Sequence, residues 1–385
     1  MLCSCALARL HRRPRDLPAQ IATALHRTIS TSVSGSATAA ASTSTSTADS
    51  SSRFPLGSAT LPSSGAPSLT REEWWCPDSE LYGFLGFSYP LEVADCSDSS
   101  NGEDAITSDL KAMKETFGAT MVRVYAPECR EVSVWENLVK GCVANNMGLI
   151  VQVWWGFSDD QTLWKKTHSS IYELFTTSTL ADVAPFVVHS ASFGSEPIGD
   201  GVDGSNFISD LTAFREKMNG YGIPVGISED WNRDSMRSGA GLGDTGKEVV
   251  ANTDIVHAHI MPYYQPTSVP TADDAWAYIE KEVEWLVTAI PDQPRQIAEL
   301  TLSFLFTTRR WASYVGYHSR GGAEDAISLS DFTTYWNAFS SNCDFFKTNQ
   351  MGWYVHTYSD TFEPGFGMID TDGKTKIDGW KPERC

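Results

Sequence analysis

Two glutamates, Glu196 and Glu299, lie 103 residues apart, and each closes a short apolar run: Phe186-Val-Val-His-Ser-Ala-Ser-Phe-Gly-Ser-Glu196 and Gln296-Ile-Ala-Glu299. A chain that alternates strands and helices can aim carboxylates at the ends of two distant strands into one cleft. In such a cleft one carboxylic acid can protonate a leaving oxygen while the other carboxylate, about 5 Å away, attacks an anomeric carbon; this cleaves a glycosidic bond with retention. The acid has to stay protonated near neutral pH, which apolar surroundings and a charged neighbour favour. Glu196 is assigned as the acid/base and Glu299 as the nucleophile.

The elements that would position them follow from hydropathy. Short runs rich in Val, Ile, Tyr and Trp at 81–89, 120–126, 149–155, 186–196, 224–230, 255–264, 295–300 and 351–360 read as buried parallel strands. Helical patterns fall between them at 105–117, 132–145, 170–182, 206–221, 272–289 and 330–348. In the last of these, Phe332, Tyr335, Trp336 and Phe339 recur at i, i+3, i+4, i+7, as one buried helix face requires. Eight strands in helical alternation predict an α/β fold of the (β/α)8 TIM-barrel type. An open doubly wound sheet would carry a glycine-rich phosphate loop after its first strand, where Tyr89-Pro-Leu-Glu stands instead.

Barrel active sites sit at the C-terminal ends of the strands. The rim then presents Tyr89, Tyr125, Trp154, Ser195, Asp230, Tyr263 and Trp353 as candidate substrate contacts around the two glutamates. Aromatic rings and carboxylates together suit sugars, whose C–H faces pack on rings and whose hydroxyls need acceptors. Trp154 and Trp155 alternate in facing, so one of them faces the cleft and the other packs. His257 and His259 share a strand face, but no third ligand stands at metal-binding spacing, so hydrogen bonding inside the barrel is expected rather than a metal site. No cofactor is called for.

The chain has 385 residues and a net charge of −19. Residues 1–71 carry seven Lys/Arg against two Asp, net +5, which leaves net −24 on 72–385. A body this acidic argues against nucleic acid as partner and fits a neutral polysaccharide or a small polar ligand. Ser, Thr, Ala, Gly and Pro dominate 28–69, so 1–71 is expected to be a disordered basic tail and linker preceding a catalytic domain at 72–385. The Arg- and Ser-rich start resembles an organellar transit peptide, and a misplaced start codon would look the same. No apolar run is long enough for a membrane span, and a monomer is expected. Six of the eight cysteines fall in the body, enough for up to three disulfides in any of 15 pairings, as in an oxidising compartment.

Several segments together resemble glycoside hydrolase family 17 in its fungal form: Val122-Arg-Val-Tyr125, Gly148-Leu-Ile-Val-Gln-Val-Trp154, Phe193-Gly-Ser-Glu-Pro-Ile-Gly-Asp200, Ala258-His-Ile-Met-Pro-Tyr-Tyr264, Ala298-Glu299 and Gly367-Met-Ile-Asp-Thr-Asp-Gly-Lys374. The resemblance spans roughly 80–385. It implies β-1,3-glucan as the substrate class, glutamates on strands 4 and 7, retention, hydrolysis or glucanosyl transfer, and an extracellular or cell-wall location. The chain departs from the family pattern at Ser195, where the family has Asn. It departs again after Glu299, where Leu300-Thr-Leu-Ser-Phe-Leu replaces a Thr-Gly-Trp-Pro-like turn. A genuine insertion and an error in the gene structure would each produce the second departure. The alternatives are a glucan-binding wall protein with impaired catalysis and a retaining β-glycosidase of the same clan acting on another glycan.

Overall fold

The computed structural model describes residues 52–62, 65–125, 128–155, 162–199, 206–265, 268–269, 271–300, 328–361, 363–382 and 384, without the side chains of 297–300. The eight barrel strands are β1 (Gly83–Pro90), β2 (Met121–Tyr125), β3 (Gly148–Val153), β4 (Val188–Ser195), β5 (Val225–Glu229), β6 (Val256–Ile260), β7 (Arg295–Leu300) and β8 (Met351–Val355). All neighbours pair in parallel, and β8 pairs with β1, closing the expected (β/α)8 barrel. Around it run α1 (Glu103–Phe117), α2 (Val132–Asn145), α3 (Leu163–Thr176), α4 (Phe207–Asn219), α5 (Asp244–Ala251), α6 (Ala272–Ala289), α7 (Leu329–Ser341) and α8 (Cys343–Thr348). None of the described helices is long and apolar enough to cross a membrane.

The helices form where apolar residues recur at helical spacing. α1 buries Ile106, Leu110, Met113 and Phe117, and stops at Gly118, whose φ of +78° is left-handed. The single helix expected over 330–348 is two, broken at Asn342; α7 buries the four aromatics expected of it. The helix α5 has no counterpart in the sequence reading. It is eight residues long and buries only Gly246 and Val249, too little for a hydropathy signal.

Packed structure starts before Glu72, the boundary read from composition. Phe54 is fully buried and stacks on Trp74 at 5.3 Å, while its backbone exchanges hydrogen bonds with Trp74 and Cys76. The Ser/Thr-rich surroundings hid a single anchoring aromatic. The expected tail up to residue 51 lies outside the described residues.

The barrel interior is unusually polar for an architecture whose centre commonly holds Val, Ile and Leu. Arg123 donates to Ser88, Gln152 and Ser228. Ser228 meets Ser192, and Ser192 lies 2.6 Å from Nδ1 of His257, whose Nε2 is 3.2 Å from Ser190. His189 continues the column from Ser190 to Asp78. Of the two strand-6 histidines, His257 is hydrogen-bonded inside the barrel. Burial, with Arg123 nearby, pushes the His257 imidazole well below its ordinary value, so it sits there neutral.

Cys96 and Cys129 form a disulfide joining the segments after β1 and β2. Cys343 is also disulfide-bonded. Cys76 and Cys142 are free and buried, so the six body cysteines do not form three bridges among themselves.

Candidate active site

Glu196 follows β4 directly, and the backbone there is built to turn it. The register between β4 and β5 shifts between Ser192 and Ser195, a bulge of the kind that re-aims a side chain at a strand end. Gly194 has φ +98°, and a Cβ on it would come within 2.8 Å of Pro197. Glu196 itself has φ +50°, rare for a residue with a side chain and a strain of about 1–3 kcal/mol that surrounding structure must hold in place. Its N–H donates to Ser228 O at 2.7 Å, which fixes the turn.

The carboxylate of Glu196 is buried against His259 and Arg233. Nδ1 of His259, on β6, is 3.0 Å from Oε1, and Arg233 donates to Oε2. Arg233 also donates through Nε to Oε1 of Glu229 at 3.0 Å, so one guanidinium clamps two glutamates. Glu229 is fully buried at the end of β5 and accepts the N–H groups of Ile198 at 2.9 Å, Gly199 at 3.3 Å and Asp230 at 2.9 Å. It thereby ties down the turn that carries Glu196. Burial first and the Glu196 charge second push the Glu229 carboxyl up to about 8, against the pull of Arg233. Asp230 is pushed up by burial too, and Asn232 N–H donates to it at 3.0 Å. Gly199 leaves room for the clamp, since a Cβ there would lie 2.1 Å from the Arg233 guanidinium carbon.

Glu299 lies in β7 with its Cα in register with His259, the residue bound to Glu196. Its side chain is outside the described residues, so the separation of the two carboxylates is not part of this geometry. The same holds for the segment 301–327 that follows it.

A second group of side chains gathers at the ends of β2, β3 and β8. The Tyr125 hydroxyl donates to Oε1 of Glu363 at 2.7 Å, and His356 Nε2 is 2.6 Å from Oε2. The rings of Trp154 and His356 flank Tyr125 at 6.3 and 4.9 Å, and Phe366 links His356 to Tyr263 at 6.0 and 5.7 Å. Trp154, Tyr125 and Tyr263 thus share one arc. Trp155, as alternation requires, packs on Phe207 at 4.9 Å. Below the arc, the Arg123 guanidinium lies 5.9 Å from the Tyr125 ring.

Two expected rim residues are elsewhere. Trp353 is buried between barrel and helices, 5.0 Å from Phe84 and 5.2 Å from Phe339, because it faces outward on β8. Tyr89 also faces outward, its hydroxyl donating to Asp109 on α1 at 2.7 Å. Ser195 is buried at the β4 terminus beside Ser228. Arg233 and Glu363 were not singled out from sequence. Each reaches the site from a connecting segment, and only the Glu229–Asp230 pair pointed toward the first. Among the described residues no group of three or more His, Cys, Asp or Glu is arranged to hold a metal ion.

No protein-family model and no curated protein sequence matches this chain. Its structure is similar to that of the glycoside hydrolase family 17 β-1,3-glucanosyltransferase of Rhizomucor miehei. The identity is 15% and the TM-score 0.57, over 80% of this chain and 99% of that one. A mutant of that enzyme with laminaritriose gives the same TM-score at 16% identity. An endo-laminarinase from Formosa Hel1_33_131 is similar over 77% of this chain and 84% of its own, with a TM-score of 0.52 and 14% identity. At such identities the likeness establishes the fold.

Proposed function

We propose that the chain is a retaining glycoside hydrolase or transglycosylase acting on β-1,3-glucan by double displacement, with Glu196 as acid/base and Glu299 as nucleophile. The observation that carries this is the coupling of the two through β6: Glu196 is turned inward by a bulge and a left-handed residue onto His259, and His259 pairs in register with Glu299. The glucan-acting proteins of the same fold favour that substrate class. In the reading, Glu196 protonates the leaving oxygen while Glu299 forms a glycosyl ester. Glu196 then takes a proton from water or from a sugar hydroxyl as the ester is released. Tyr125, Trp154 and Tyr263 supply ring faces, and Asp230 and Glu363 accept hydroxyls. The Cys96–Cys129 disulfide favours an extracellular or cell-wall setting.

A second reading is glucan binding without turnover. The Arg233 contact favours it, because a cation beside Glu196 stabilises the carboxylate over the acid. Incubation with laminarin decides between them. The first reading expects new reducing ends or altered chain lengths, with β-anomeric products seen by NMR. Glu196→Gln and Glu299→Gln should each lower kcat by about 10²-fold or more while binding persists. Binding with no turnover in the wild type would leave the second reading standing.

A further inference from the structure

A file of polar side chains runs through the barrel, and the position of each proton in it follows from its two ends. Between Arg123 on β2 and Asp78 in the turn before β1 stand Ser228, Ser192, His257, Ser190 and His189. The successive contacts are 3.1, 3.0, 2.6, 3.2, 3.2 and 3.0 Å. All but Asp78 are buried. Asp78 is partly open to solvent beside the N-terminal ends of β1 and β4, at the far end of the barrel from the mouth.

An arginine can only donate, and an ionised aspartate can only accept. Burial works against charge on Asp78, but the bond from His189 and the nearby Arg71 hold its carboxyl below the ordinary range. Each group between the ends then hands one proton to the next. Arg123 donates to Ser228, Ser228 to Ser192, and Ser192 to Nδ1 of His257. Nε2–H of His257 donates to Ser190, Ser190 to Nδ1 of His189, and Nε2–H of His189 to Asp78. Every hydroxyl accepts once and donates once, and both histidines are neutral with the proton on Nε2. The burial that depresses the His257 imidazole agrees with this.

The opposite direction fails the same count. It would put protons on Nδ1 of both rings and make Ser192 donate to Ser228, which already accepts from Arg123. Among the described residues the Ser228 hydroxyl meets only those two, so its own proton would lack an acceptor at a fully buried site. It would also need an extra proton on His189 or Asp78, although the His189 carbonyl already takes the Arg71 guanidinium.

Ser228 is where the file meets the site. Its hydroxyl takes Arg123, whose guanidinium lies 5.9 Å from the Tyr125 ring, and its carbonyl takes the Glu196 N–H at 2.7 Å.

We propose that Asp78, at the far end of the barrel, is a remote positioning residue for the glutamate site. It acts through one unidirectional hydrogen-bond chain that locks His189 and His257 as Nε2–H tautomers and keeps Arg123 and Ser228 oriented at the mouth. Its effect on turnover rests on the glycosidase reading above; the tautomers do not.

Nitrogen-15 NMR of the imidazoles at neutral pH reads the chain directly, with the two rings assigned through His189→Asn and His257→Asn. Both should show a protonated, pyrrole-like Nε2 and a pyridine-like Nδ1. In Asp78→Asn one charged end is gone, so His257 should become a mixture of tautomers and kcat on laminarin should fall about tenfold at unchanged KM. Asp78→Glu keeps the charge and should restore both. If Asp78→Asn does not fold, Ser192→Ala cuts the chain in the middle; the Nδ1 resonance of His257 should shift and kcat should fall by a similar factor. A proton on Nδ1 of either ring in the wild type overturns the chain. An unchanged kcat in folded Asp78→Asn, or in Ser192→Ala, overturns the positioning role. Nε2–H tautomers in a wild type that binds laminarin without turnover keep the chain and remove the glycosidase. Turnover with a proton on Nδ1 keeps the glycosidase and removes the chain.

Discussion

Arg233 sits between Glu196, the proposed acid/base, and the fully buried Glu229, and this sets a limit on the proposed chemistry. A cation in contact with Glu196 favours its charged form, which suits the second half of a double displacement and opposes the first. The side chain of Arg233 is 28% exposed, whereas Glu229 is fully buried and locked by four donors. Arg233→Gln should therefore move the alkaline limb of kcat/KM to higher pH, because the acid form of Glu196 survives further. A limb that stays put while kcat falls would show that Arg233 only holds the turn. Glu196 was legible in the sequence because a strand end and the flanking Phe193-Gly-Ser before it and Pro197 after it mark it. Its partners were not. Arg233 and Glu363 gain meaning only when segments 37 and 238 residues from their partners come together.

All eight strands could be read from the sequence because each is a short run rich in Val, Ile or aromatic residues, even where Ser, His and Arg alternate with them toward the polar interior. What such a run does not reveal is which way each residue faces, and that is where Trp353 and Tyr89 were misplaced. Facing in a parallel strand depends on register, and β8 shifts register against both its neighbours. Trp353 instead joins a layer with Phe84, Trp336, Phe339 and Trp380 that binds the helices to the barrel. Trp353→Ala should cost about 3–5 kcal/mol of unfolding free energy by denaturant titration, with residual activity in the folded fraction. Loss of glucan affinity at unchanged stability would return Trp353 to the cleft. The Phe54 and Leu61 anchors and the short α5 were missed for a related reason: isolated buried residues leave no period to detect.

For the whole molecule, the buried titratable groups make stability depend on pH in two opposing ways. Glu229 is raised from 4.5 to about 8, so the native state binds its proton more tightly than the unfolded chain does. That contribution is full below pH 4.5 and is lost as pH rises toward 8; it is on the order of a few kcal/mol. His257 is depressed below 6.5, so the unfolded chain takes up its proton first, and stability falls as pH drops below that value. The carboxylate effect therefore favours acid and the histidine effect opposes it. Between pH 5 and about 6.5 the two partly cancel and wild-type Tm should vary little, whereas from there to pH 8 only the Glu229 effect acts and Tm should fall. Replacing one group at a time exposes the other. Glu229→Gln should leave a protein whose Tm rises with pH up to about 6.5 and levels off above it. His257→Asn should leave one whose Tm falls with pH, provided each variant keeps its barrel by circular dichroism. Tm measured every half unit checks both slopes, and a Glu229→Gln profile parallel to that of the wild type would mean Glu229 is ionised in the native state throughout.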